Sequence, residues 1–203
     1  MAKIEDHAPA VSRPETRKRH RWVLFVGFVC ALVACANPIN WKTYERYRDQ
    51  GREAASRGDW GTAEKAYYRA AMNVQMGYLG PDAETESLYN LGRAKRMVGK
   101  FEESEDFLKR ALAIDEKRSA PDAYFLTTAT LAELAATYFQ TNKYQEGIPV
   151  LLRLEPIALK YKQGYTEQGR RFIKQLYENY ASVLAKLDKG QEAERFRKVA
   201  DSF

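Results

Sequence analysis

Leu88-Tyr89-Asn90-Leu91-Gly92-Arg93-Ala94-Lys95, followed by Gly99-Lys100-Phe101 and then by Ser104, Leu108 and Ala111, is the stretch that decides the fold. Large residues three apart flank a glycine, a turn signal follows, and small residues recur beyond it. This spacing predicts two antiparallel helices whose backbones touch at Gly92, with Phe101 plugging the gap after the turn.

The same arrangement recurs along the chain. Tyr47-x-x-Gln50-Gly51-x-x-Ala54, Leu131-x-x-Leu134-Ala135-x-x-Tyr138 and Tyr177-x-x-Tyr180-Ala181-x-x-Leu184 place the small residue at successive intervals of 41, 43 and 46 residues. Second helices follow, marked by Ala63, Tyr67 and Ala70 after Gly58-Asp59-Trp60, by Gly147, Leu151 and Leu154 after Asn142-Lys143-Tyr144, and by Ala193 and Ala200 after Lys189-Gly190. A single hairpin leaves an apolar face bare, so neighbours must stack. The expected fold is all-α: four hairpins, about eight helices, over residues 44–203, with repeats near 44–80, 85–120, 128–163 and 174–203.

These residues resemble the tetratricopeptide repeat. Gly80-Pro81-Asp82-Ala83-Glu84-Thr85 and Ala120-Pro121-Asp122-Ala123 look like the junctions of its longer kinesin-light-chain variety. The resemblance implies a right-handed solenoid that binds other proteins. Repeats three and four depart from the pattern: Ala135 and Ala181 replace glycine, and the fourth repeat lacks the aromatic after its turn. Pro149 and Pro156 fall inside a second helix, which they should bend or shorten. The stripe Phe196, Val199, Phe203 either packs back on the preceding helix or offers a contact to a partner or a second copy.

Chemistry is limited by what is missing. Both cysteines (Cys30, Cys35) and both histidines (His7, His20) lie within the first 35 residues. Residues 36–203 therefore supply no Cys/His zinc site, cysteine nucleophile, Ser-His-Asp triad or disulfide. No enzymatic activity, metal or cofactor is expected. The acidic run Glu102-Glu103-Ser104-Glu105-Asp106 opens a helix, where negative charge suits the dipole, and reads as structural. Residues 36–203 hold 27 Lys/Arg and 24 Asp/Glu, interspersed along the helices. Nucleic acid is not the expected partner, because the dense basic footprint it requires is absent.

The N-terminus reads as an address. Arg17-Lys18-Arg19-His20-Arg21 precedes a 13-residue apolar run, Trp22 to Ala34. That length suits a signal peptide rather than a bilayer span of about 20 residues. Leu32-Val33-Ala34-Cys35 resembles the lipobox of bacterial lipoproteins, which implies cleavage before Cys35 and its lipidation. Ala36, not Asp, follows the cysteine, and by resemblance to enterobacterial sorting this implies the outer membrane. The alternative is an uncleaved inner-membrane anchor with Trp22 and Trp41 at the two interfaces. The long charged n-region keeps that reading open. In either case the basic cluster stays in the cytoplasm and the repeats face outward, toward the periplasm.

The resemblance also implies a groove lined by first helices. Repeat one contributes Glu45, Arg48, Arg52 and Ser56, and repeat two contributes Glu86, Tyr89, Asn90, Arg93, Arg96 and Met97. Repeat three contributes Ala129, Ala132, Ala136, Phe139 and Gln140, and repeat four contributes Gln175, Glu178, Asn179, Ser182 and Lys186. One end is basic and the middle smooth and apolar. Asn90 and Asn179 stand where related repeats clamp a bound peptide backbone, and the arginines suit carboxylates. Arg52 stands where the clamp of chaperone-binding members needs Asn, so a chaperone tail is not expected. A solvated face is the alternative for Arg48 and Arg52, which repel as i, i+4 neighbours unless an acid sits between them. The leading expectation is an outer-membrane lipoprotein scaffold, pilotin or assembly factor that binds an envelope protein. The alternative is an inner-membrane-anchored structural subunit of a larger complex.

Overall fold

A computed structural model of the chain describes residues 38–117 and 124–203. The apolar run 22–34 and Cys35 lie outside the described residues. The chain is all-α: α1 (38–56), α2 (Trp60–Gly77), α3 (Pro81–Met97), α4 (Phe101–Glu116), α5 (Tyr124–Gln140), α6 (Tyr144–Tyr161), α7 (Glu167–Lys186) and α8 (Gly190–Ala200). A short 3-10 turn, Lys162–Gly164, joins α6 to α7. Consecutive helices pair as four antiparallel hairpins, and the first helices α3, α5 and α7 also touch one another. No helix among the described residues is long and apolar enough to cross a membrane.

One turn is used four times. Gly58, Gly99, Asn142 and Asp188 each take positive φ between the helices of a hairpin. The residue after each donates its N–H back across the helix end: Asp59 to Ala54 O, Lys100 to Lys95 O, Lys143 to Tyr138 O and Lys189 to Leu184 O, at 2.8–3.0 Å. This bonding satisfies carbonyls that a helix C-terminus would otherwise leave open. Asp59 then caps α2, accepting from the Thr62 N–H at 3.0 Å.

The small residues do what their spacing requires. A Cβ on Gly92 would lie 2.8 Å from Leu108 Cγ, and one on Gly51 2.5 Å from the Tyr67 ring. Ala135 and Ala181 occupy the equivalent buried places. In the third hairpin the tightest approach has moved to the other helix: a methyl on Gly147 of α6 would collide with the Tyr180 hydroxyl of α7.

The prolines do not shorten α6, which runs 18 residues through Pro149 and Pro156. Both prolines are solvent-exposed, as are Gln145 and Leu152, whose carbonyls lose their i+4 donors. On that exposed side solvent can take the place of the missing N–H, which removes much of the cost of a buried break.

The core is uneven along the stack. One large cluster joins α4 to α8, whereas the first two hairpins rest on two small clusters, around Ala54–Tyr67–Leu91 and around Tyr44–Val74. Two tyrosines of α7 clasp the third hairpin: Tyr177 donates to Leu151 O and Tyr180 to Ala135 O, each at 2.8 Å. Burial raises both hydroxyls far above the ordinary tyrosine range. The stripe Phe196, Val199, Phe203 packs inward. Phe196 is fully buried edge-on to Tyr177, with ring centroids 5.4 Å apart, and Phe203 lies against the same cluster. It is core, and the surface contact weighed for it has no exposed stripe to use.

Candidate functional site

Two acids organise the first-helix face. Glu86, in the second turn of α3, accepts from the Tyr44 hydroxyl at 2.7 Å and pairs with Arg52 at 3.1 Å and Arg48 at 3.9 Å, both on α1. One repeat on, Glu133 of α5 pairs with Arg96 at 2.6 Å and Arg93 at 3.1 Å, both on α3. In each case two arginines of one repeat share one carboxylate of the next; Arg48 also pairs with Asp49 at 3.1 Å, so a positive charge is left over only at Glu133. The mutual repulsion expected of Arg48 and Arg52 is relieved by Glu86 between them.

Glu133 is the less expected of the two acids. Its residue is 3% exposed, and it is the sole charge in α5. Burying a carboxylate is tolerable only when it is fully paired. Arg96, itself buried, supplies that pairing while donating through Nη1 to Gln140 at 3.2 Å and lying 5.9 Å from the Phe172 ring. Arg93 is more open, its side chain 38% exposed and its guanidinium 5.1 Å over the Trp60 ring. Its Nε lies 3.1 Å from Glu133 Oε1 without a hydrogen bond to it, and its Nη groups have no protein acceptor among the described residues.

These groups form one wall of a cleft of about 450 Å³ between α3, α5 and α7. Tyr89, Arg93, Arg96 and Met97 come from α3, Phe125, Thr128, Ala129, Ala132 and Glu133 from α5, and Tyr165 and Phe172 from the start of the fourth hairpin. Burial, aided by the nearby Glu133 charge, pushes the Tyr89 hydroxyl up to about 12, so it remains a donor. Chemically this is an aromatic cavity with a bound carboxylate, one surplus positive charge and unspent guanidinium donors. A broader depression of about 690 Å³ between α6 and α8 is lined by solvent-facing charges such as Glu155, Arg195 and Lys198.

The residues anticipated for a groove thus divide. Tyr89, Arg93 and Arg96 meet in the cleft, and Arg48 and Arg52 gather around Glu86 one repeat away. Asn90 is buried on α3. Phe139 packs its ring 5.4 Å from both Tyr144 and Tyr180. Asn179 lies two turns beyond Phe172 and accepts from Gln175 at 3.1 Å. The acidic run of α4 is spent on ion pairs, Glu103 with Lys95, Glu105 with Lys109 and Lys143, and Asp106 with Arg110. Among the described residues no group of three or more His, Cys, Asp or Glu is placed to hold a metal ion.

Glu133 and the aromatics Trp60, Phe125, Tyr165 and Phe172 were not apparent from the repeat spacing. The available signal for Glu133 was its isolation, a lone acid in a 17-residue helix otherwise free of charge.

Residues 47–117, which span most of α1 through α4, match the tetratricopeptide repeat family model. No curated protein matches the chain. Among solved structures, the crystal structure of MamA protein is similar at 16% identity and a TM-score of 0.40, covering 79% of this chain and 91% of that one. The family match covers α1 to α4 alone; the described residues as a whole form an all-α stack of helical hairpins.

Proposed function

We propose that the chain is a non-catalytic scaffold of the bacterial cell envelope, tethered at its N-terminus, that holds an extended segment of another envelope protein in the cleft between α3, α5 and α7. The observation that carries this reading is Arg93. It pairs with Glu133 and lies over Trp60, is partly exposed, and has guanidinium donors left over at the mouth of an aromatic cavity. Such an arrangement suits a partner segment that presents a carboxylate beside an apolar side chain.

The test is capture of partners from detergent-solubilised envelope by the wild type and by Arg93→Glu and Arg48→Glu. Loss of the same protein with Arg93→Glu supports the cleft. Identical capture by all three means that this face does not bind.

The tether reading rests on Leu32-Val33-Ala34-Cys35 after the apolar run. A lipoprotein incorporates radiolabelled palmitate, and Cys35→Ala does not. The absence of label on the wild type would leave the second reading, an inner-membrane subunit anchored by residues 22–34, which the long basic n-region favours.

A further inference from the structure

The first hairpin has an end that its own core does not use. Ile39 is 65% exposed, Trp41 41%, Met76 58% and Tyr78 90%. The start of α1 and the end of α2 bring these residues together. A Cβ on Gly77 would lie 2.6 Å from Asn40 Cβ, and the Trp41 ring is 5.7 Å from that of Tyr44.

Charge is nearly absent from this end. Across residues 38–42 and 72–80 only Lys42 is ionisable as a side-chain cation or carboxylate, in a chain that is 30% charged. The opposite edge of the stack, where the hairpin turns lie, carries Arg57, Asp59, Lys100, Lys143, Asp188 and Lys189. Farther along the apolar end's own edge charges return, with Asp82 and Glu84 at the start of α3 and Lys160 and Lys162 at the end of α6, so the apolar, aromatic surface is confined to the first hairpin.

We infer that this end of the first hairpin rests in the headgroup layer of the lipid bilayer, with Trp41 and Tyr78 as interfacial anchors and Ile39 and Met76 reaching the acyl boundary. The inference rests on the tether proposed above. Two residues separate Cys35, the lipidation site, from residue 38, and three separate Ala34, the end of an uncleaved apolar run, from it, a reach of at most about 14 Å in either case. The hairpin cannot move far from the surface, and the side chains nearest it are the types that partition there. An apolar face sinks roughly 5–10 Å into the boundary, a depth that these side chains can span. Without a basic cluster the contact is hydrophobic, so it should resist high salt.

The chain purified from membranes with the N-terminal tether it carries there, reconstituted in phosphatidylethanolamine/phosphatidylglycerol vesicles, tests this, with flotation reporting the tether. Acyl-brominated lipid should quench emission roughly twofold in a variant that keeps only Trp41 (Trp22→Phe, Trp60→Phe). It should leave a variant that keeps only Trp60 (Trp22→Phe, Trp41→Phe) unquenched. Failure to float overturns the tether and the inference together. Flotation with Trp41 as unquenched as Trp60 overturns the inference and leaves the tether standing. Hydroxyl-radical footprinting of the unmodified chain on vesicles provides a second readout that does not depend on folding of the variants. Met76 should be shielded while Met97, exposed in the cleft, is oxidised, and equal oxidation of the two refutes the contact.

Discussion

Replacing Glu133 by Gln keeps the side chain's size and removes its charge, which isolates what the carboxylate contributes between two repeats. The loss falls mainly on Arg96, whose side chain is 9% exposed and pairs with Glu133 at 2.6 Å. Removing one partner of a buried pair costs about 3–5 kcal/mol, because the other charge stays buried. Arg93, 38% exposed, adds at most about 1 kcal/mol after solvent screening. Arg96 keeps Gln140 and the Phe172 ring, which places the expected cost near the lower end, about 3 kcal/mol. For a chain of this length that corresponds to a drop of roughly 6–12 °C in Tm. Thermal and urea unfolding followed by far-ultraviolet circular dichroism would measure it. A cycle with Arg96→Met should show strong coupling, the double variant losing less than the two single losses combined. A cost below about 1 kcal/mol, or additive losses, would refute the view that Glu133 joins the second and third repeats. Binding should move the other way, since the variant cleft carries more positive charge and should hold an acidic segment more tightly.

Three further perturbations address other parts of the stack. Gly147→Ala should cost about 1–3 kcal/mol by displacing Tyr180, and Tyr180→Phe in the same chain should restore part of it; no rescue would mean that the clash lies elsewhere. Glu105 is partly buried, which opposes ionisation, but Lys109 and Lys143 outweigh that and hold its pKa below the ordinary 4.5. Its stabilisation is thus present above that value and lost as pH falls through the lowered one. Glu105→Gln should flatten the acid limb of a stability profile between about pH 5 and 3, and an unchanged slope would contradict the pairing. Phe196→Ala, which empties a fully buried site against Tyr177, should cost about 3–5 kcal/mol. Amide exchange should show α8 and α7 losing protection before α1, and a near-neutral effect would reopen a surface role for the stripe.

The parts of this structure that were legible in the sequence are those in which one residue meets a steric condition. Gly51, Gly92, Ala135 and Ala181 announce the hairpins because close helix contact excludes anything larger. The turn residues Gly58, Gly99 and Asn142 announce themselves through positive φ. What remained hidden depends on pairing across repeats. Glu133 finds its arginines 37 and 40 residues upstream, and its isolation in an uncharged helix marks it as unusual without naming those partners. The cleft's aromatic wall comes from Phe125, in the first turn of α5, and Tyr165, just before α7, where repeat spacing carries no signal. Pro149 and Pro156 misled in the opposite direction, because their effect depends on whether the carbonyls they orphan face water. That is a property of the packed molecule.

The uneven core gives the molecule a mechanical polarity. The first hairpin, next to the proposed tether, is held by two small clusters, whereas the far half shares one continuous core fastened by the Tyr177 and Tyr180 hydroxyls. A load drawn between the membrane and a protein held in the cleft would pass through α1 and α2 before reaching α5–α8. The compliant element would then lie at the membrane end. Under tension that hairpin should extend first and limit the force reaching the cleft, so a captured segment would stay gripped while the tether gives.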